Sequence, residues 1–369
     1  MIKKIKALII KEILAILQDR KSRTVLIIPP LVQLFIFSFA ATLDVQNIDM
    51  GVWNKDNGKY SYELIQRFVG APTFRNIYFY DTNEQVKKAL DNQDVILVMH
   101  IDETFSRNIL QGREAKVQLL MDGRKSNSAQ IVQGYAVGIL EQFQHDTKST
   151  LGLPKDRTTL VPWNWYNPNL IYTWFTVPGL VGVLTLLICL LVTALSVARE
   201  REVGTFEQLL VSPLTPTEII IGKAIPAMII GIGEGTLILL AAILFFGIPF
   251  TGSFLLLYFS IFVFVLSIVG IGLFISSMAK TQQQALLGVM VFMAPAIALS
   301  GFATPIENMP HWLQIGTYLN PLRYFLEIVR GIFLKSWSFY SVWQNVYPLL
   351  LISLFTLTGA DWFFKKRLE

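Results

Sequence analysis

Apolar residues gather in six long blocks, at 24–43, 169–198, 217–246, 254–278, 285–302 and 346–364. At a helical rise of about 1.5 Å per residue each is long enough to cross roughly 30 Å of hydrocarbon, so the pattern predicts six transmembrane helices. Ahead of the first block, Ile2, Ile5, Ile9, Ile13 and Ile16 share one face of residues 1–23, while Lys3, Lys4, Lys6 and Lys11 lie elsewhere. That spacing predicts an amphipathic helix in the headgroup plane. No small-residue cleavage site follows the first span, which argues against a cleavable signal.

Residues 44–168 carry a different pattern. Short runs rich in β-branched and aromatic residues at 48–53, 77–80, 95–100 and 117–121 alternate with helical patterns at 63–68, 84–90 and 126–144, predicting a compact α/β domain inserted after the first span. Residues 303–338 are too polar to cross but amphipathic. They read as two short helices broken at Asn320-Pro321, either re-entering the outer leaflet or lying flat on the surface. Within them are Pro305, Pro310, Pro321, Arg323, Glu327 and Arg330; the two arginines lie four and three residues from Glu327, spacings that allow pairing on one helix face.

The chain has 369 residues, is 53% hydrophobic and only 15% charged, which excludes a soluble protein of this size and reads as a polytopic membrane protein. Residues 45–168 hold 14 Lys/Arg and 14 Asp/Glu, so the net charge of +5 lies outside the inserted domain, at membrane edges. Such placement points to lipid headgroups and topology, with no nucleic-acid partner. Seven Lys/Arg precede the first span, and Lys365, Lys366 and Arg367 lie in the tail at 365–369. Six crossings then place both termini in the cytoplasm and the inserted domain outside. Trp163, Trp165, Tyr166, Tyr172 and Trp174 form an interfacial belt before the second span.

The densest charge between apolar blocks is at 199–223, with Arg199, Glu200, Arg201, Glu202, Glu207, Glu218 and Lys223. Lipid does not tolerate that density. Val203, Phe206, Leu209 and Leu210 fall at helical spacing, predicting a short helix at 199–216 with one apolar stripe, ended by Pro213. Thr215, Pro216 and Glu218 match an N-cap, a first-turn proline and a reciprocal acid, so the next helix starts at once. A short, stiffly connected amphipathic helix suits a docking element that passes force from a partner into the bilayer; an ordinary cytoplasmic loop has the same spacing. Glu234, in a glycine-rich run inside a predicted span, is a candidate intramembrane cation or proton contact, or marks close helix packing. Cys189 is a lone packing residue, and His100 and His145 are isolated, so no catalytic, cofactor or metal constellation is visible. No G-x-x-x-x-G-K-[ST] occurs, which excludes a P-loop motor in this sequence, and no internal repeat of spans supports a secondary transporter. Two other classes remain open: an ATPase-driven mechanotransmitter acting on a periplasmic partner, and a cation/proton antiporter using Glu234.

The runs AREREVGTFEQLLVSPLTPTEIIIGKAIP at 198–226, SGFATPIENMPHWLQ at 300–314 and NPLRYFLEIVRGIFLK at 320–335 resemble the permease subunit of ABC-2 type exporters. DGRKSNSAQI, WYNPNL and SSMAKTQQQA extend the likeness along the whole chain, toward bacterial inner-membrane multidrug permeases of the YbhR/YbhS family. The resemblance implies six spans, an interfacial N-terminal helix and a coupling helix carrying Gly204 and Thr205 with the residues above. It implies a second permease copy or homologue and two ATP-binding subunits that hold ATP and Mg. A membrane-fusion-type periplasmic adaptor belongs to the same picture. An inner-membrane location and efflux of amphipathic compounds are further implications; the particular substrate is not.

Overall fold

Helix α1 (Ile2–Gln18) leads into α2 (Arg20–Ala40), in a computed structural model that describes residues 2–18, 20–40, 47–152, 166–169, 171–206, 211 and 214–366. The sequence assigns Arg20 and Arg23 to the surface helix, yet both belong to α2, which carries Pro29 and Pro30 inside it. The expected end of the first span, at residues 41–43, lies outside the described residues, as do Trp163, Trp165 and Arg367. The chain divides into two units: Met1–Ala41 with Asn164–Glu369, and Thr42–Trp163.

The inserted unit is built on a four-stranded sheet ordered β2-β1-β3-β4: β1 (Ile48–Asn54), β2 (Phe74–Phe79), β3 (Leu97–Ile101) and β4 (Val117–Met121). β1 pairs in parallel with β2 and β3, and β4 closes the far edge antiparallel to β3. Parallel neighbours need crossovers, supplied by α3 (Lys59–Val69) and α4 (Asn83–Asp91). A short helix α5 (Phe105–Leu110), absent from the sequence expectation, follows β3; α6 (Ser126–Thr150) runs six residues past its expected end. Met50, Val52, Leu97 and Met99 pack with Leu64 and Phe68 of α3, Phe105 of α5 and Val132 and Phe143 of α6. Val98 packs with Val86 and Ala89 of α4 in a separate small core, so the sheet is covered on both faces.

The other unit continues with α7 (Thr173–Val203), α8 (Pro216–Leu244), α9 (Phe254–Met278) and α10 (Gln282–Ala298). It ends with α11 (His311–Thr317), α12 (Pro321–Lys335) and α13 (Phe339–Lys366). Among the described residues α7, α8, α9 and α13 are long and apolar enough to cross a membrane, while Leu26–Phe39 and α10 are shorter apolar helices. α7 is the central one: 72% of its most apolar window is buried, against 22% for α13. α12 presents Leu322, Phe325, Val329 and Phe333 to the bundle, all fully buried, and Phe325 stacks on Phe264 of α9 at 4.0 Å. Its apolar face therefore lies inside the protein and not flat on a surface. Asn320 fixes its start: the side chain accepts from Leu322 N at 3.1 Å and donates to the Ala296 carbonyl at the end of α10 at 2.7 Å.

Candidate functional site

Two apolar helices, α7 and α8, are joined by the charge-dense stretch, and the helix ends on either side of it are tightly specified. Gly204, at φ 79°, caps α7 in the left-handed region that a glycine enters without a Cβ penalty. Arg199–Val203 thus form the last turns of the long helix and do not head a separate short one; Val203 is 67% exposed and shares no helix with Phe206. Phe206 is helical, whereas Glu207, Leu209, Leu210 and Pro213 lie outside the described residues. On the far side Thr215 and Glu218 close a full capping box at the start of α8, with Pro216 at its first position.

Each charge at the end of α7 has a distinct attachment. Arg201 donates to the carbonyls of Ser277 and Ala279, at 2.8 and 3.0 Å, where α9 ends. Glu202 accepts from Gln282 N at 2.7 Å, where α10 begins. A cation on terminal carbonyls and an anion on a terminal N–H both match the helix dipoles, so adjacent residues of α7 clamp the α9–α10 turn. Ser276 Oγ accepts from the backbone of Val197 and Ala198 in the same corner. The Arg201 guanidinium lies 4.7 Å from the Phe206 ring centre, and Phe206 meets Phe364 of α13 edge-on at 6.0 Å.

Glu200 turns the other way, into the protein. Its Oε2 is 2.8 Å from Lys223 Nζ and its Oε1 is 2.9 Å from Lys11 Nζ. The Lys223 side chain has no exposed surface; it also reaches Glu12 Oε1 at 3.1 Å and the carbonyl and hydroxyl of Ser196 at 3.3 and 3.2 Å. A buried ammonium is tolerable only when paired and hydrogen-bonded on all sides, which this one is. The four charges of Lys11, Glu12, Glu200 and Lys223 sum to zero and join α1, α7 and α8. Leu8 of α1 fits against Gly222, where an added Cβ would sit 2.3 Å from its Cδ2, so the approach of α1 depends on that glycine. Arg199 is exposed, and Thr205 donates to the Glu200 carbonyl at 3.4 Å.

Glu234 sits well away from this junction in sequence, midway along α8. It is 6% exposed, its Oε1 has no hydrogen-bond partner, and Thr185 Oγ1 on α7, beside Gly235, is likewise unpartnered. No cluster of metal-ligating side chains occurs among the described residues. Around α12, Pro305 and Pro310 hold extended backbone before a short turn and α11, and Pro321 opens α12. The Glu327 pairs that the spacing allows do not form: Arg323 donates to Thr317 Oγ1 and stacks 4.3 Å over Tyr318, and Arg330 lies 3.8 Å over Phe175, while Glu327 is exposed.

Residues 21–360 match the model of the ABC-2 family transporter proteins. The chain belongs to the ABC-2 transporter family. It is 45% identical over 361 residues to "Probable multidrug ABC transporter permease YbhR" of Escherichia coli K12, covering 98% of each chain. It is 29% identical to "Probable multidrug ABC transporter permease YbhS" of the same strain, over 99% of this chain and 97% of that one. "Inner membrane transport permease YhhJ" is 25% identical, over 97% and 96%.

In this ABC-2 permease, sequence reasoning found the charged stretch but missed what organises it. Lys223 was visible as a lysine seven residues inside an apolar helix, a signal of a buried partner. Glu12 as that partner was not, because 211 positions separate the two.

Proposed function

We propose that this permease is the membrane subunit of an ATP-driven exporter, moving amphipathic compounds from the cytoplasm or inner leaflet outward across the bacterial inner membrane. In this reading the two shorter apolar helices also cross, giving six spans with both termini cytoplasmic. The inserted α/β unit is then extracytoplasmic, and α11–α12 form the re-entrant element on the outer side. Two ATP-binding subunits supply ATP and Mg, a second permease copy or homologue completes the path, and a membrane-fusion-type adaptor docks outside.

The observation that carries the reading is the attachment of the charge-dense turn. Arg201 and Glu202 grip the α9–α10 turn, and Glu200 grips α1 and α8 through Lys223. A push on residues 199–214 by an ATP-binding partner therefore moves four membrane helices together. A turn attached to nothing could move without effect on the bundle. Apolar burial sets the bundle, and the ion pairs set the direction in which it yields.

The test uses vesicles holding the permease with its ATP-binding subunits. The reading requires ATP-dependent accumulation of a fluorescent amphipathic dye, and Glu202→Ala or Gly204→Pro must lower transport per ATP hydrolysed. Wild-type coupling in both variants removes the assignment, and accumulation driven by a proton gradient without ATP removes the exporter reading.

A further inference from the structure

α12 carries a cation that the charged junction does not touch. Arg330 is half-buried, and its guanidinium stands 3.8 Å over the ring of Phe175, in the first turn of α7. Gly179, one turn along α7, lies beside it: an added Cβ there would sit 3.6 Å from Nη2 and 2.7 Å from the Phe302 ring. Nη1 reaches the Gly301 carbonyl at 3.5 Å, the outer limit of a hydrogen bond, and Nε and Nη2 are buried with no hydrogen-bond partner. α7, α12 and the segment after α10 therefore meet around one positive charge.

Lys223 shows how the same chain settles a buried cation. It has two glutamates and two oxygens of Ser196 around it, whereas Arg330 has, among the described residues, an aromatic face and one long carbonyl bond. The ring attracts a desolvated cation, but two buried donors left over still cost stability. An uncharged side chain of similar length, such as methionine, would cost less in that crevice. A feature that weakens the resting fold while tying two helices together marks a state built to be left.

The other place for the charge is on the same helix. Glu327 precedes Arg330 by three residues, the spacing at which an acid and a base meet on a helix surface, and it is exposed. Arg323, the other base within reach of Glu327, is held by Thr317 and Tyr318. A change of rotamer at Arg330 exchanges Phe175 for Glu327 and leaves α12 intact.

We infer that Arg330 is a two-position latch between α12 and the start of α7. Stacked on Phe175 it holds the two helices together; paired with Glu327 it frees the start of α7 and leaves no bare charge behind. The inference rests on the proposed reading in which the bundle helices shift during transport.

The test is the rate at which phenylglyoxal modifies Arg330, read by peptide mass spectrometry on the full chain in lipid nanodiscs, with exposed Arg113 as reference. At rest Arg330 reacts at least about tenfold more slowly than Arg113, because only the released position presents its terminal nitrogens. Phe175→Leu raises the Arg330 rate about fivefold, and Phe175→Trp, which keeps an aromatic face, leaves it near wild type. Arg330→Met raises the unfolding midpoint by about 2–4 °C, where removal of a purely structural arginine would lower it. In Arg330→Lys a water-soluble carbodiimide joins the substituted amine to the Glu327 carboxyl, and adding Phe175→Leu speeds that amide bond at least about fivefold. With the ATP-binding subunits present, ATP turnover raises the wild-type Arg330 rate about fivefold or more. Equal Arg330 rates in wild type and Phe175→Leu, a lower midpoint in Arg330→Met, or an amide bond no faster with Phe175→Leu overturns the inference. So does a rate unchanged by turnover in vesicles that accumulate dye. Wild-type vesicles that accumulate no dye count against the exporter reading alone, and the Phe175 and carbodiimide arms then decide the latch.

Discussion

At the scale of single residues, Lys223 is the side chain whose loss the junction tolerates least. Removing it leaves the carboxylates of Glu12 and Glu200 facing one another with only Lys11, 56% exposed, to offset them. Breaking a buried pair from one side costs about 3–5 kcal/mol, whereas an exposed partner contributes under about 1 kcal/mol. Lys223→Met is expected to lower the unfolding midpoint in nanodiscs by several degrees, and Lys11→Met to leave it nearly unchanged. Equal effects would mean the buried ammonium is not what holds α1 to the bundle. Gly204 makes a second demand. Among the described residues no side chain crowds it, so Gly204→Ala is penalised by its backbone at φ 79°, about 1 kcal/mol, and Gly204→Asn, which visits that region more readily, by less. The expected order of stability is Gly, Asn, Ala; an alanine variant as stable as wild type would show that the turn relaxes without it.

At the scale of elements, helix starts and local ion pairs make measurable contributions. Thr215→Ala removes half of the capping box on α8 and is expected to cost about 1 kcal/mol, seen as faster hydrogen exchange confined to the first turn of that helix. In the inserted unit, Arg67 bonds Asp146 of α6 and Glu63 of its own helix. The hydrogen bond from Arg67 holds the Asp146 carboxyl below its ordinary range. Because the folded value is lowered, this contribution is present above the ordinary carboxylate range and is lost as pH falls through the lowered value. Thermal unfolding of the inserted unit should fall more steeply toward pH 3 in wild type than in Asp146→Asn; identical slopes would refute the link.

Elements with local causes were legible in the sequence. The short, mostly apolar run at Val117–Met121, the apolar run bounded by Ser253 and Ala279, and the capping residues of α8 each carry their own limits. α5 was not legible, since six residues with three apolar positions, Phe105, Ile109 and Leu110, give too little period to read. Nor was the true end of α7: the spacing of Val203, Phe206, Leu209 and Leu210 suggests one helix, but Gly204 breaks it. The spacing of Arg330 allows a pair with Glu327 along its own helix, and the ring of Phe175 holds it instead, a contact set by tertiary packing across 155 positions.

At the scale of the whole molecule, the two units have separate cores: residues of α7–α10, α12 and α13, with Leu8 and Leu34, form one, and the sheet with its helices forms the others. Replacing residues 44–163 with a flexible linker should leave the unfolding midpoint of the helical unit in place while export falls. A collapse of the helical unit would show that its stability depends on the inserted one. In the function proposed above, force enters the helical unit at residues 199–214.

That assignment is tested most directly by photocrosslinking from position 205, with Thr205 replaced by p-benzoylphenylalanine in the assembled complex. The account predicts a crosslink to the ATP-binding subunit whose yield changes when nucleotide is trapped. It is contradicted if position 205 crosslinks no ATP-binding subunit while a probe at Arg113 does, or if position 205 reacts with a membrane-impermeant reagent added from the periplasmic side.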